Sequence, residues 1–510
     1  CLSFKLGSYS LFDLDEPRYP QAAREMLQNH DLVLPYFNGE FRFDKPVLYY
    51  WSQIISNQVF GEGEFAARMP SVIAAIALLA LLYLFAHSRG LGLISCVILL
   101  SSIEFFILSR MSITDMLLNY CISGSLLVFF LVYDDKLKRK WLGVSASLLA
   151  LGVLTKGPVA LALPILIIGL FLLQQKKFFF KKSDLAFMVI TFLVICLPWY
   201  VAAHIKSAGA FTQAFFWDHN IKRYTSVVSG HHSPWWFYLA GFIGGFMPWT
   251  IFLPTVFYLC FKNRKNLDSS VSFCLIWFIS VIAFYNLSST RLLNYILPCF
   301  TPLAFLTAYY IKEQQKLLPY AIGLVSIIAL SYEVVYLSPL KNHIWSVPFI
   351  DFYLEKELLY FGMLFVLIIG IFYFIKKDQS FNRSFRYFTS MVILVLLTSI
   401  ITVFVPLGAY LTGGIKKFCA KFPTQQKLYL IGIERPSVNY YCKTQAIRIP
   451  QKKLNQIVDK ENQEFYIIVK KSSWQEVKSQ AFDRLHIVSS DALYYFAKFD
   501  ALPGQVGHKH

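Results

Sequence analysis

The chain has 510 residues, 56% of them hydrophobic and only 15% charged, with a formal net charge of +18 and a mean hydropathy of +0.50. A soluble globular protein carries about a quarter charged residues, so the composition excludes an ordinary soluble enzyme and points to a polytopic helical membrane protein. The positive balance does not argue for nucleic acid, because most Lys and Arg fall in short segments between apolar runs, where they set membrane orientation.

The chain opens on a polar stretch. Asp13-Leu14-Asp15-Glu16-Pro17-Arg18-Tyr19, then Phe43-Asp44-Lys45-Pro46, form a charged and aromatic segment ahead of the first apolar run. Apolar runs follow at 65–86, 91–108, 115–133, 141–154, 158–173, 185–202, 236–260, 271–287, 292–311, 318–337, 358–375 and 387–411, which is twelve candidate spans. Those at 141–154 and 158–173 are short, and the Thr155-Lys156-Gly157-Pro158 linker suggests a tilted or re-entrant pair. Basic clusters at 136–140, 176–182, 262–265 and 376–386 share one side when the spans alternate, and the positive-inside rule makes that side cytoplasmic. The other side receives 1–64, 110–114, 155–158, 203–235, 286–291, 338–357 and the tail after 412. An opening loop on that side calls for a further helix ahead of Cys1, a thirteenth.

The tail changes character. Strands are expected at 428–433, 446–449, 465–469 and 485–488, and helices at 437–442, 453–460 and 473–479, giving a small α/β domain over 412–510 behind a membrane domain over 1–411. Of the nine cysteines, six lie in or at the end of apolar runs. Cys419 and Cys442 flank the start of the tail and are a candidate disulfide. No Cys/His zinc signature and no Gly-rich phosphate loop is present, so nucleotide binding is unsupported.

Polar residues that topology does not explain collect on the non-cytoplasmic side. They are Asp13, Asp15, Glu16, Arg18, Arg24, Asp44 and Lys45, then Arg110, Asp115 and Lys156, then a cluster from His204 to His232 that includes His219 and Arg223, and Arg291. Arg and Lys suit phosphate oxygens, and carboxylates beside them orient a nucleophile, take a proton or hold a cation. A phosphate leaving group at this face implies a lipid-linked donor. Plainer roles compete: snorkelling for a lone Lys or Arg, a helix N-terminal charge for Asp115, and interfacial anchoring for Trp235, Trp236 and Trp249.

Several ordered motifs resemble one family. Asp15-Glu16-Pro17-Arg18-Tyr19, Asn38-Gly39-Glu40, Phe43-Asp44-Lys45-Pro46, Ala66-Ala67-Arg68-Met69-Pro70-Ser71, Leu154-Thr155-Lys156-Gly157-Pro158, His219-Asn220-Ile221-Lys222-Arg223-Tyr224 and Arg291-Leu292-Leu293-Asn294-Tyr295 resemble the aminoarabinose transferases of lipid A, within the protein O-mannosyltransferase-like glycosyltransferases of GT-C fold. The resemblance covers most of residues 13–310. It implies an all-α polytopic GT-C membrane protein of the bacterial inner membrane with its site facing the periplasm. It implies an inverting transfer of a sugar, aminoarabinose or a hexosamine such as galactosamine, from undecaprenyl phosphate to a lipid A phosphate, with resistance to cationic antimicrobial peptides as the consequence.

The resemblance also implies roles. Asp15, with Glu16, is the central carboxylate; Lys45 holds the donor phosphate with Arg223, Arg291 and Tyr295; Asp115 is a second carboxylate. Asp44 and His219 match positions that hold a structural zinc. The family often has Glu at the position of Asp44, and two ligands fall short of the usual four, so no cofactor is required by this reading. Two other functions remain: transfer to a protein hydroxyl, which needs a real base and so puts more weight on Asp15 than on Lys45, and lipid-linked sugar transport, which predicts mid-span charges and inverted repeats that are not seen.

Overall fold

In a computed structural model of the chain, the apolar runs form helices that alternate between two polar ends of one bundle. The structure describes residues 2–177, 179–221, 234, 236–313, 390, 393, 396–397, 400–454, 464–481 and 484–500. The expected spans at 318–337 and 358–375, and most of 387–411, lie outside the described residues.

The opening segment holds α1 (Arg18–Gln28), a short hairpin of β1 (Tyr36–Phe37) and β2 (Glu40–Phe41), and α2 (Leu48–Phe60). The bundle follows as α3 (Glu64–His87), α4 (Gly92–Ser101), α5 (Ile103–Ser109), α6 (Thr114–Tyr133), α7 (Leu142–Lys156), α8 (Val159–Gln174) and α9 (Lys182–Lys206). Helices Phe237–Gly245, Leu253–Lys262, Ser269–Asn286 and Phe300–Glu313 follow, with shorter helical segments at Leu293–Cys299 and Val405–Leu411. Four described helices are long and apolar enough to cross a membrane, or six if two bent pairs each count as one span. Helix α6 lies at the centre, packed against α3 and α7, and 83% of its apolar window is buried. The corresponding figure for α9 is 11%. Its Val189, Ile190, Val194 and Ile205 face outward; a continuous apolar surface of this length is what lipid requires.

Ion pairs mark the two ends. At one end Arg89 pairs with Asp134 and Asp268, Arg139 pairs with Asp184, and Lys312 donates to the Arg89 carbonyl. At the other end Lys156 pairs with Asp115, Lys206 with Asp31 and Lys416 with Glu64. The alternate threading read from the basic clusters therefore holds for the described spans. Between α7 and α8 the chain reverses at Gly157, whose φ of 95° disfavours a side chain, and Pro158 starts the next helix. The short pair is two antiparallel helices rather than a re-entrant loop.

Two apolar runs expected as single spans are broken. Residues 91–108 form α4 and α5, bent by 77°, and residues 236–260 form Phe237–Gly245 and Trp249–Lys262, bent by 109°. Ser102 is extended between α4 and α5, and the Ser101 and Ser102 hydroxyls donate back to carbonyls of α4. In the second pair Gly244-Gly245 is followed by Pro248, which supplies no N–H. The breaks meet: Ile103 N donates to Met247 O at 3.1 Å, and Trp249 Nε1 donates to Ser101 Oγ at 2.9 Å. Trp249 is thus a buried strut at the junction, 2% exposed, and not an interfacial anchor. Irregular backbone at membrane depth persists only where protein or a cavity satisfies it.

The tail forms a five-stranded mixed sheet in the order β4-β3-β5-β7-β6. Its strands are β3 (Lys427–Ile431), β4 (Ala446–Ile449), β5 (Phe465–Lys470), β6 (Leu485–Ser490) and β7 (Tyr494–Phe499). β7 was not expected; it is a buried aromatic strand between β5 and β6. Hydrophobic clusters separate from that of the bundle lie on the sheet. Cys419 and Cys442 are disulfide-bonded, which ties the helix entering the tail to Pro436–Cys442. Of the expected helix at 453–460, residues 455–460 lie outside the described residues.

The tail docks on the opening segment. Arg18 pairs with Glu434; Arg24 Nη1 donates to Tyr440 O at 3.0 Å; Asn38 Nδ2 donates to Ala446 O at 3.0 Å; Tyr441 Oη donates to Glu64 and accepts from Leu11 N at 2.8 Å. Asp13 is buried at this seam and accepts from the Ser437 N–H at 2.9 Å and from its hydroxyl. Burial pushes the Asp13 carboxyl above the usual carboxylate range, against the bonds from Ser437 and the charges of Arg435 and Arg18. A raised folded-state pKa means the fold favours the protonated form. Its contribution is complete below the ordinary Asp range and is lost as pH rises through the raised value. Asp13→Asn keeps an acceptor and removes the charge, so it is expected to flatten this pH dependence. Asp13→Ala is expected to weaken docking by about 1–3 kcal/mol. Proteolytic release of the tail, followed against pH, measures both.

Candidate functional site

The site builds up at the bundle end that carries the opening segment. Its foundation is Arg68 on α3, which is fully buried with Glu16. Arg68 Nε and Nη2 donate to the two Glu16 oxygens at 2.9 and 2.8 Å, and its other N–H groups go to the carbonyls of Leu6, Tyr9 and Ser10, each at 2.9 Å. All five guanidinium donors are used. Glu16 also accepts from the Phe12 and Ser112 N–H groups at 2.8 and 2.7 Å. The structure therefore gives Glu16 a different position from the one expected: it is sealed into the fold, with both oxygens occupied. Asp15 points the other way, 67% exposed, with Arg18 at 3.6 Å.

A second layer carries Asp44 and Lys45. Arg42 donates to Asp44 Oδ2 at 2.8 Å and to Tyr50 Oη at 3.0 Å, and lies over the Tyr19 ring at 5.4 Å. Burial pulls the Arg42 pKa down, but Asp44 and the two tyrosines outweigh it and hold the guanidinium charged. Lys45 Nζ donates to the Asp44 carbonyl at 2.9 Å. The side chain of His219, and Arg223, lie outside the described residues. Among the described residues no group of three or more His, Cys, Asp or Glu could hold a metal ion. The carboxylate of Asp44 is engaged by a cation, Arg42, which opposes metal binding there. The His219 side chain, the other member of the expected zinc pair, lies outside the described residues, and no step is derived through a metal.

The third layer joins span ends. Ser112 N is bonded to Glu16, and Gln53 of α2 donates to Ser112 Oγ at 3.1 Å. This fixes the segment that leads into α6 against the opening segment. Arg110, buried, donates to the carbonyls of Leu2 and Phe4 at 2.5 and 2.9 Å. Asp115 then starts α6 and receives Lys156 Nζ, from the last turn of α7, at 2.6 Å. The Lys156 ammonium also lies over the Tyr295 ring at 4.7 Å, and Tyr295 packs against Tyr285, which packs against Tyr238. Arg291 donates to the carbonyls of Pro234 and Asn286 at 2.7 and 2.9 Å. Of the expected site residues, Asp115 and Tyr295 are joined through Lys156, with Arg291 on the adjoining turn, while Asp44 and Lys45 stand with Arg42 in the opening segment. Lys156 was singled out in the sequence but given no role there, and the structure makes it the residue that joins Asp115 to Tyr295. Its signal was visible as a lysine beside Gly157-Pro158 on the side that should be poor in basic residues.

Residues 44–201 match the family described as dolichyl-phosphate-mannose-protein mannosyltransferase. The undecaprenyl phosphate-alpha-4-amino-4-deoxy-L-arabinose arabinosyl transferase of Photorhabdus laumondii is 31% identical over 312 residues, 60% of this chain and 56% of that protein. The protein of the same name from Pseudomonas aeruginosa is 32% identical over 319 residues, 61% of this chain and 58% of that one. The chain thus spans less than two thirds of the length of the curated relatives it matches. The crystal structure of ArnT from Cupriavidus metallidurans bound to undecaprenyl phosphate aligns with 98% of this chain and 96% of its own at a TM-score of 0.80 and 19% identity. The fold is that of ArnT. The shared architecture is a helical bundle with polar segments gathered at one end and a tail built on a sheet.

Proposed function

We propose that this chain is an inner-membrane glycosyltransferase. It moves an aminosugar, 4-amino-4-deoxy-arabinose, from undecaprenyl phosphate to a lipid A phosphate at the periplasmic face. The observation that carries this reading is the Lys156 ammonium held between Asp115 and the Tyr295 ring, at the bundle end where Lys45 and Arg291 also stand. Cations at the mouth of spans suit a lipid phosphate whose tail lies among those spans. The names of the relatives above support the donor and the sugar.

In the reaction, an oxygen of the acceptor phosphate attacks the anomeric carbon of the sugar. A new C–O bond forms, the bond from that carbon to undecaprenyl phosphate breaks, and the phosphate leaves with the electron pair. Attack from the face opposite the leaving group inverts the centre. Lys45, Arg291, Lys156 and Arg223 offset the negative charge growing on the departing phosphate, where electrostatic stabilisation counts most. The acceptor is ionised near neutral pH, so no strong base is needed. Asp115 aims Lys156 by accepting from its Nζ at 2.6 Å.

The match to a protein mannosyltransferase family favours a second reading in which the acceptor is a protein hydroxyl. Mass spectrometry of lipid A from cells with the protein, without it, and with Lys45→Ala decides. A lipid A phosphate carrying the aminosugar only with the parent protein is the expected result. An identical lipid A profile in all three strains would sink the lipid A reading, and full activity of Lys45→Ala would remove Lys45 from the site.

A further inference from the structure

Glu104 has no part in the reaction above. It stands in the first turn of α5, just past the extended step at Ser102. Its Oε2 lies so close to Gly245 that a Cβ there would collide with it and with the Phe300 ring. Gly245 ends the first half of the other bent pair, so the carboxyl sits where the two broken helices meet. Its Oε1 is buried and has no hydrogen-bond partner among the described residues. Helix α5 packs against α6, which Asp115 opens, against Phe237–Gly245, which carries Tyr238, and against Leu293–Cys299, which carries Tyr295. It therefore borders the elements that hold Asp115, Lys156 and Tyr295.

A carboxyl oxygen buried without a bond is costly unless something brings it a donor or a cation. Lys156 is already engaged by Asp115. The proposed donor carries a primary amine, which is protonated near neutral pH. The 4-position lies across the pyranose ring from the anomeric carbon, so the amine must be met about one sugar's width from the groups that handle phosphate. Glu104 is carried by α5, which packs against the turn Leu293–Cys299 that holds Tyr295 and against α6, which Asp115 opens.

We infer that Glu104 receives the protonated amine of the donor sugar and sets the preference of this site for aminosugars. The inference rests on the glycosyltransferase reading. The test uses the full chain reconstituted in vesicles with lipid A and two undecaprenyl-phosphate donors, one bearing 4-amino-4-deoxy-arabinose and one bearing arabinose with a hydroxyl at that position. The parent protein is expected to prefer the amino donor. Glu104→Gln is expected to lower kcat/KM for the amino donor about 100-fold and to leave the hydroxyl donor unchanged, while Glu104→Asp retains the preference. An equal fall on both donors, or an unaltered preference in Glu104→Gln at an unchanged melting temperature, overturns the assignment. A parent protein that transfers both sugars equally overturns the inference alone; one that transfers neither overturns the glycosyltransferase reading with it.

Discussion

Arg68→Ala is expected to cost about 3–5 kcal/mol, the range for leaving one member of a buried ion pair without its partner. The loss reaches beyond Glu16. Three backbone carbonyls, of Leu6, Tyr9 and Ser10, lose their donor together, and the Tyr9 ring loses the guanidinium 3.8 Å from its centre. Arg68→Lys rescues little, because a single ammonium cannot replace a planar fork with five donors. A marginally stable protein has about 5–15 kcal/mol in all, so the variant should melt far earlier in detergent and accumulate poorly in the membrane. Replacing Arg68 and Glu16 together with apolar residues tests the same point from the other side. The double change removes both charges but still strands Phe12 N and Ser112 N, so it should remain destabilised. A melting temperature equal to that of the parent in Arg68→Ala would show that the opening segment does not depend on this pair.

The second large effect is expected at the pair of Asp115 and Lys156. Single changes are hard to read, since each leaves a charge largely buried, with side chains 8% and 14% exposed. The informative variant is Asp115→Asn with Lys156→Gln, which removes both charges and keeps a hydrogen-bonded pair. Its stability should stay within about 1 kcal/mol of the parent, while transfer to lipid A slows at least about 100-fold. Equal turnover in the double variant and the parent would remove the pair from the reaction. Loss of transfer together with loss of folded protein would instead mark it as a structural tie between α6 and α7.

Spans were the most legible part of the sequence, because lipid demands a long apolar run and little else. The run 115–133 became Thr114–Tyr133, and 271–287 became Ser269–Asn286. The breaks at Ser102 and at 245–249 were not legible in hydropathy, which records apolar length and not direction. Their traces are small: two serines able to bond back to carbonyls, two adjacent glycines, and a proline. The opening segment was read as loop because its charge density hid the buried faces of α1 and α2. Within the site, each charge was visible as a residue at a span end. Which charges meet was not, since Asp115 and Lys156 are 41 residues apart and touch only because α6 and α7 run antiparallel. Glu16 shows the converse: its neighbour Asp15 is exposed, and adjacency in sequence gave no sign that the two carboxylates face opposite surroundings.

The seam between the opening segment and the tail also bears on grafting. Arg18, Arg24, Asn38 and Asp13 on one side meet Glu434, Tyr440, Ala446 and Ser437 on the other. The two stretches therefore behave as one exchangeable cassette despite lying hundreds of residues apart. A chimera that swaps the tail alone after Thr412 would set foreign side chains against Asp13 and Arg18. One that carries residues 8–64 along with it keeps the seam partners together, and should assemble where the host also supplies Arg68 and Ser112, the partners of Glu16.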